Sequence, residues 1–320
     1  MRIAVIGVGA VGGYFGGRLA EAGHDVVFVA RGRTLETLLA GGLHVESSLG
    51  GFSIDAPRVA SDPAGLAAAE VVLVAVKAHQ VRDAARLAAP LVAPGTAVIP
   101  LQNGVEAPAM LAEVLGDACV LGGLCKIFST ALGPGHIRHV GFEPAILFGE
   151  LGRANTDRVA RIHGAFASAK GMKVVAPDDV EAALWEKCLF VAPLGAVGAM
   201  TRQPAGVIRG VAETRQILRA AMEEFAAVAR GRGVAVSNDA VERSLKMVDA
   251  LPPEATASMQ RDIAEGRPSE LDYQVGTIVR FGRECGVAVP VTETIYGALL
   301  PYELQARGEL ESPTAAKAKD

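Results

Sequence analysis

Three glycines near the N-terminus, Gly7, Gly9 and Gly12, form a G-x-G-x-x-G pattern that begins at the end of a predicted strand, residues 2–8, which is apolar after Arg2. A helical periodicity follows the glycines, and residues 25–30 have the composition of a second strand. In such a unit the first glycine allows a tight turn and the second lets the backbone approach a pyrophosphate. The third lets the helix pack on the strand. This opening predicts a dinucleotide-binding βαβ unit, with phosphates at the start of the helix.

The charged residues around the second strand bear on the type of dinucleotide. An NAD site usually has Asp or Glu at the carboxyl end of this strand, where the carboxylate holds the ribose 2′-OH. Here Glu21 lies late on the helix and Asp25 lies at the opposite end of the strand, whereas Arg31 and Arg33 follow its carboxyl end. A guanidinium matches a 2′-phosphate. The pattern predicts NADP(H); the alternative is that both arginines are solvated loop cations.

The composition of the chain limits which partners it can have besides a dinucleotide. A chain of 320 residues with 50% hydrophobic residues can fill two cores. Its net charge is −4, and its sequence lacks the basic patches that are typical of nucleic-acid-binding proteins. Its four cysteines have neither disulfide-framework nor zinc-site spacing. Residues 188–200, the longest run without a polar side chain, are too few to span a bilayer. We therefore expect a cytoplasmic protein without a metal, membrane or nucleic-acid partner.

The pattern of periodicities divides the chain near residue 177. Before this point short apolar strands alternate with helices, which indicates a parallel sheet covered on both faces. After it the periodicity is almost wholly helical. The predicted fold is an α/β protein with an N-terminal Rossmann-type doubly wound sheet and an all-helical C-terminal domain. The expected bounds are residues 1–177, 178–308 and a disordered tail, 309–320.

Polar residues directly after two buried strands are candidates for the site. Lys77 and Gln80 follow residues 71–76, and Asn103 follows residues 96–101. Open α/β sheets bind ligands outside the carboxyl ends of their strands, so these side chains are expected to face the cofactor. The alternative for Asn103 is a common Asn-Gly turn, and for Lys77 a solvated loop position.

The helical half contains polar residues in apolar surroundings. Lys187 begins a stretch that carries no other charge before Arg202. Such a lysine either extends its amine to water or is held in a pocket for chemistry. Ser258 and Glu270 lie near the starts of predicted helices, and Glu270 is also compatible with a first-turn acid that the helix dipole favours.

These segments together resemble the ketopantoate reductase (2-dehydropantoate 2-reductase) family over residues 1–305. The matching segments are residues 7–12 with Arg31, 76–80, 102–104, 184–187, 258–262, 270–273 and 286–290. The resemblance implies an NADPH-dependent reduction of a 2-oxo acid to a 2-hydroxy acid, ketopantoate to pantoate, in a cleft between two domains.

The resemblance also implies roles for individual residues. Lys187 matches the general acid that protonates the carbonyl oxygen, and Glu270 matches an acid that binds the substrate and the lysine's surroundings. Ser258 matches a serine on the substrate carboxylate, and Asn103 an asparagine beside nicotinamide and substrate. The expected NADP(H) ligands are Gly7, Gly9, Ala10, Val11, Gly12, Arg31, Lys77, Gln80 and Asn103.

Three positions depart from the family pattern. Where asparagines are expected, on the helix face of Lys187 and before Ser258, this chain has Val191, Gly195 and Ala255. A substrate-binding surface that includes Val191 and Gly195 is more apolar, which favours a different 2-oxo acid unless neighbours supply the lost hydrogen bonds. The remaining alternative is a protein that binds NADP(H) without catalysis. Apolar helices leave room for a homodimer.

Overall fold

The computed structural model describes residues 1–152 and 154–311 of the chain. The strands in these ranges are β1 Arg2–Ile6, β2 Asp25–Val29, β3 Leu43–Ser47, β4 Phe52–Ile54, β5 Arg58–Ala60, β6 Val71–Val74, β7 Ala97–Pro100, β8 Gly122–Lys126, β9 Ser129–Gly133, β10 His136–His139, β11 Ala145–Gly149 and β12 Lys173–Val175. The α-helices are α1 Ala10–Glu21, α2 Gly32–Gly41, α3 Val81–Ala88, α4 Ala107–Leu115, α5 Asp157–Phe166, α6 Val180–Thr201, α7 Ala205–Gly210, α8 Ala212–Gly231, α9 Ala240–Ala250, α10 Ser258–Ala264, α11 Thr277–Cys285 and α12 Pro290–Ala306.

The chain forms two compact units. The first comprises Met1–Gln102 and Glu106–Glu181, and the second comprises Asn103–Val105 together with the chain from Ala182 onward. The sequence placed the boundary between residues 177 and 178, and it did not anticipate that three residues after β7 group with the helical unit. Of the tail expected at residues 309–320, residues 312–320 lie outside the described part of the chain.

The first unit is built on a parallel sheet with the strand order β5-β2-β1-β6-β7. Its central strands are buried because Val, Ile and Leu fill both faces, as in sheets covered on two sides. Ile6 pairs with Val29 on one side and with Val74 on the other, so the carboxyl ends of three strands meet at one edge. The strand order reverses at β1, which makes this edge the topological switch point. The predicted doubly wound sheet is confirmed.

Two smaller sheets complete the first unit, with the orders β4-β3-β10-β9 and β12-β11-β8. Residues 52–60 form two strands in different sheets, because β4 pairs with β3 while β5 pairs with β2. Turn residues 55–57 separate these strands and let the chain pass from one sheet to another.

The second unit is helical, as predicted. Its apolar core includes Ala192, Phe225, Leu245, Ile278 and Leu299, one from each of the helices α6, α8, α9, α11 and α12. Helix α6 is 22 residues long and is the one described helix long and apolar enough to cross a membrane. Its most apolar window is 67% buried, as is usual for the core helix of a folded domain. The run of residues 188–200 judged too short to span a bilayer is thus part of a helix of sufficient length.

Candidate active site

The glycine turn after β1 has a different packing requirement at each glycine. Gly7 has a φ of +95°, which side-chain-bearing residues rarely adopt. A Cβ atom at Gly12 would lie 2.0 Å from the carbonyl oxygen of Gly7, so only glycine fits between helix and turn. A Cβ at Gly9 would meet no atom within 4 Å. The turn is therefore closed on the side of the sheet and open at Gly9, the position assigned to pyrophosphate approach.

The start of α1 presents free donors at this opening. Gly9 is the N-cap residue, and the helical hydrogen bonds begin with Gly13 N–H donating to the Gly9 carbonyl at 2.8 Å. The N–H groups of Ala10, Val11 and Gly12 precede this bond and have no helical acceptor. No acidic side chain lies in the first turn. This arrangement suits an anion, and the residues fit the phosphates of a dinucleotide.

The charges at the two ends of β2 are arranged as the sequence predicted. Glu21 is paired with Arg18 and Asp25 with Arg58, each at 2.9 Å, at the amino-terminal end of β2. Arg31 lies beyond the other end, exposed at the N-cap of α2, and has no ion pair to a described residue.

An acid that the sequence analysis did not consider lies near the same edge of the sheet. Asp62 follows β5, which runs parallel to β2, and its Oδ1 atom accepts the N–H of Ala64 at 2.9 Å. One oxygen of this carboxylate closes its own turn, and Arg31 is the charged residue directly after β2.

Two polar side chains mark the carboxyl ends of β6 and β7. Lys77 is half-buried at the start of the short 3₁₀ turn Ala78–Gln80. Gln102, which is 5% exposed, donates from Nε2 to the carbonyls of Val74 (2.9 Å) and Val76 (3.0 Å). Its buried Oε1 atom has no hydrogen-bond partner among the residues described. Sequence reasoning had not singled out Gln102, and its orphaned acceptor suits a donor group on a bound ligand.

The Asn103–Gly104 turn packs within the helical unit against the segment that carries Glu270. Gly104 has a φ of +88°, and a Cβ at this residue would lie 2.5 Å from the carbonyl oxygen of Tyr273. Asn103 therefore lies on a turn that requires glycine, and tertiary packing brings this turn to the Glu270 segment. The Asn-Gly turn and the proposed site role of Asn103 are compatible.

Glu270 lies directly before an irregular helical turn. Residues Asp272–Gly276 form a π-helical turn that leads into α11, a feature frequent at functional sites. Glu270 is 4% exposed and accepts a hydrogen bond from Nε2 of Gln274 at 3.1 Å. The hydroxyl of Thr277 donates to the carbonyl of Tyr273 at 3.1 Å, which satisfies a backbone group of the turn.

The face of α6 that carries Lys187 also carries Val191 and Gly195. Lys187 is half-buried, and its amine has no hydrogen bond or ion pair with another residue in the described ranges. A Cβ at Gly195 would lie 3.1 Å from Met259 Cε and 3.2 Å from Ala257 Cβ. The first residues of α10, with the half-buried Ser258, therefore pack on the same helix as Lys187.

Glycine at position 195 is what permits this approach. The volume that an asparagine side chain would need is occupied by Met259 and Ala257. Where the family pattern has a hydrogen-bonding asparagine, this chain thus has a glycine that lets α6 and the start of α10 pack closely. Gly195 can offer a substrate only its backbone.

The comparison with known proteins places these residues in a family. Residues 3–153 match the family described as ketopantoate reductase PanE/ApbA, and residues 179–303 match the family of its C-terminal domain. The chain belongs to the ketopantoate reductase family. The resemblance drawn from the motifs is confirmed, and the protein is an oxidoreductase.

Relatives of this family member cover nearly its whole length. It is 32% identical to the 2-dehydropantoate 2-reductase of Halobacterium salinarum over 92% of this chain and 96% of that one. The crystal structure of a PanE/ApbA family ketopantoate reductase from Ralstonia eutropha matches with a TM-score of 0.87, at 31% identity, over 96% of this chain and 100% of that one. A D-mandelate dehydrogenase solved with NADH and anilino(oxo)acetate shares the fold, with a TM-score of 0.87 at 19% identity over 96% of this chain and all of that one.

In this ketopantoate reductase family member a polar network that sequence reasoning missed surrounds the Glu270 segment. Asp272 is paired with Arg307 at 2.7 Å and accepts the Tyr296 hydroxyl at 2.5 Å. Burial, together with the hydrogen bond to Asp272, raises the pKa of Tyr296 to about 12. Burial by itself would lower the pKa of Arg307, but the carboxylates of Asp272 and Glu303 outweigh it and raise that pKa. The hydroxyl and the guanidinium therefore both remain donors at physiological pH. No sequence pattern indicated this network, because Asp272 is far along the chain from the residues of the last helix that contact it.

Proposed function

We propose that this protein catalyses the NADPH-dependent reduction of a 2-oxo acid to a 2-hydroxy acid, with ketopantoate as the leading substrate and pantoate as its product. The observation that carries the proposal is Lys187, a half-buried amine without a hydrogen bond or ion pair to another described residue, on the helix whose Gly195 packs against the helix start that carries Ser258.

The cofactor proposal rests on the first unit. The unpaired N–H groups at the start of α1 and the open side of Gly9 suit the pyrophosphate. Arg31 suits a 2′-phosphate, whereas Glu21 and Asp25 lie at the other end of β2 in ion pairs. When bound, the reduced nicotinamide supplies the hydride for C2 of the 2-oxo acid. Lys77, Gln80 and Asn103 stay proposed cofactor ligands.

The chemistry that falls to the protein is the management of charge on the substrate oxygen. As the carbonyl is reduced, negative charge develops on its oxygen, and the Lys187 ammonium stabilises this charge and donates a proton to it. Ser258 donates from its hydroxyl to the substrate carboxylate. Glu270 accepts hydrogen bonds from the substrate and orients the groups around the lysine, and Asn103 donates from its amide beside the reacting carbon.

The same chemistry on a more apolar 2-oxo acid is the second candidate. Val191 and Gly195 offer no side-chain hydrogen bond, and Met259 fills the space beside Gly195. An unpaired hydroxyl of the substrate in such a site costs about 1–3 kcal/mol. A protein that only binds NADP(H) is the third candidate, but such a protein requires neither Lys187 nor Glu270. The cytoplasmic location and the homodimer stay predictions.

A comparison of substrates and cofactors tests the proposal. The oxidation of NADPH and of NADH is followed with ketopantoate, with ketoisovalerate, which has the same branched chain but no hydroxyl, and with phenylglyoxylate. We expect kcat/KM to be highest for ketopantoate with NADPH. A higher value for ketoisovalerate or phenylglyoxylate selects the second candidate. NADPH binding without turnover of any 2-oxo acid contradicts catalysis and leaves the third.

A further inference from the structure

Glu270 lies between two residues that are both tied to the end of α12. On one side the backbone N–H of Ser269 donates to the two carboxylate oxygens of Glu303, at 3.2 and 3.0 Å, and the Ser269 hydroxyl donates to the same carboxylate. On the other side the carboxylate of Asp272 is paired with Arg307 at 2.7 Å. Arg307 also donates from Nε to Glu303 at 2.7 Å, one helical turn away.

This set of contacts forms a closed clamp, defined by Ser269, Asp272, Tyr296, Glu303 and Arg307. Ser269 and Glu303 are fully buried, at 0% exposure. The Tyr296 hydroxyl donates to the Asp272 oxygen that Arg307 does not contact, so both oxygens of that carboxylate are held. The backbone of Glu270 is thus fixed on each side by a charged group of α12.

We propose that Glu303 and Arg307 are positioning residues, which hold the backbone around Glu270 so that its carboxylate is set for the reaction. This inference rests on the proposed function, since it depends on the role given there to Glu270. Neither residue touches the proposed substrate; each acts through Ser269 or Asp272.

The energetics of buried charge favour positioning over simple stabilisation. Replacing a buried ion pair by apolar residues of similar volume is often neutral or stabilising, so stability alone gives little reason for a carboxylate as buried as Glu303. A charge-assisted network instead specifies one geometry. A specified geometry is needed here because the π-helical turn Asp272–Gly276 lacks the regular hydrogen-bond ladder of an α-helix.

The side chain of Glu270 is held by a further contact on the same turn. Gln274 donates to Oε2 of Glu270 at 3.1 Å and is itself buried, at 1% exposure. Its position depends on the π-helical turn, and the turn begins at Asp272. A shift of Asp272 therefore moves both the backbone of Glu270 and the amide that orients its carboxylate.

The variants Tyr296→Phe, Arg307→Lys and Glu303→Gln test the clamp in steps. Tyr296→Phe removes one hydrogen bond to Asp272. Arg307→Lys keeps the positive charge but lacks the planar fork that contacts the carboxylates of both Asp272 and Glu303. Glu303→Gln keeps the shape of the side chain but removes its negative charge. We expect kcat to fall about 10- to 100-fold in the Arg307 and Glu303 variants and less in the Tyr296 variant, because a displacement of about 1 Å is enough for such losses. The KM of the cofactor is expected to stay unchanged.

A double-mutant cycle with Glu270→Gln distinguishes positioning from general stability. If the clamp acts through Glu270, Arg307→Lys will lower kcat in the wild-type background but less than about threefold in the Glu270→Gln background. Equal losses in both backgrounds would overturn the proposal. Crystal structures of the Arg307→Lys and Glu303→Gln variants give a readout that needs no turnover. If residues 269–276 keep their positions there, the clamp does not position Glu270, whatever the substrate is.

An exposed ion pair between α11 and α12 supplies the control. Arg283 on α11 and Glu293 on α12 are paired at 3.0 Å on the surface, and neither contacts residues 269–272. Arg283→Lys should leave kcat unchanged. If the wild-type protein reduces none of the 2-oxo acids, the proposed function fails, but the crystal structures still decide whether the clamp holds the Glu270 segment.

Discussion

The two units of this enzyme build their proposed binding sites in different ways. In the first unit the proposed phosphate site is made of backbone, three glycines and the start of α1, within a dozen consecutive residues. In the second unit the proposed substrate-binding surface is made of side chains from α6, α10, the turn before α11 and the Asn103–Gly104 turn. The contrast teaches that a backbone site constrains which residues can be present, whereas a side-chain site constrains where distant segments must meet.

The largest expected effect concerns the side-chain site. Lys187→Ala should lower kcat about 10²- to 10⁴-fold, the usual scale for the loss of a general acid. NADPH affinity and thermal stability should stay near the wild-type values, because the amine has no partner in the described ranges. Steady-state kinetics with a fluorescence titration of NADPH measures both. Turnover equal to wild type would remove the lysine from the mechanism.

Two glycine variants of the backbone site should change different properties, one the stability of the fold and the other the affinity for NADPH. Gly12→Ala places a Cβ 2.0 Å from a backbone oxygen and should destabilise the fold by about 3 kcal/mol or more. Gly9→Ala meets no atom within 4 Å, so its stability should change by about 0.5 kcal/mol or less while NADPH affinity falls about tenfold. Urea unfolding and NADPH titration separate the two effects. Unchanged affinity in Gly9→Ala would exclude the phosphate from this opening.

The packing at Gly195 predicts a smaller loss of stability. Gly195→Asn restores the residue type expected from the family but forces Met259 and Ala257 to move, at a cost of about 1–3 kcal/mol. Gly297→Asn on α12, where a Cβ meets no atom within 4 Å, is the matched control and should not destabilise the protein. A rise in kcat/KM for ketopantoate in Gly195→Asn without loss of stability would show that the position had kept room for an asparagine.

The smallest expected effect is on cofactor choice. Arg31→Ala should reduce the ratio of NADPH to NADH in kcat/KM about tenfold, since one charge-assisted contact to an exposed phosphate is lost. Arg33→Ala is the control, because it removes the same charge two residues further along. If both variants reduce the ratio equally, the preference comes from general positive charge and not from a defined contact.

Several features of the fold were predictable from local patterns. The βαβ opening, the buried strands β6 and β7 and the helical second half follow from hydrophobic periodicity and glycine spacing, which record interactions between near neighbours. The sheet β4-β3-β10-β9 was less predictable, because its strands are short and its two local pairs are joined only by the pairing of β10 with the distant β3. Residues 52–60 show the limit, because this one short stretch contributes strands to two sheets.

The sequence by itself determined the glycine turn, the arginine after β2, the place of Lys187 at the start of an uncharged stretch and that of Glu270 near a helix start, because each depends on its immediate neighbours. Only the tertiary structure decided that Asn103 groups with the helical unit, that Met259 fills the space beside Gly195, and that Glu303 and Arg307 hold the Glu270 segment. These contacts join residues about 30 to 170 positions apart. Such contacts form only when the packing of the whole core brings the helices together, so no local pattern encodes them.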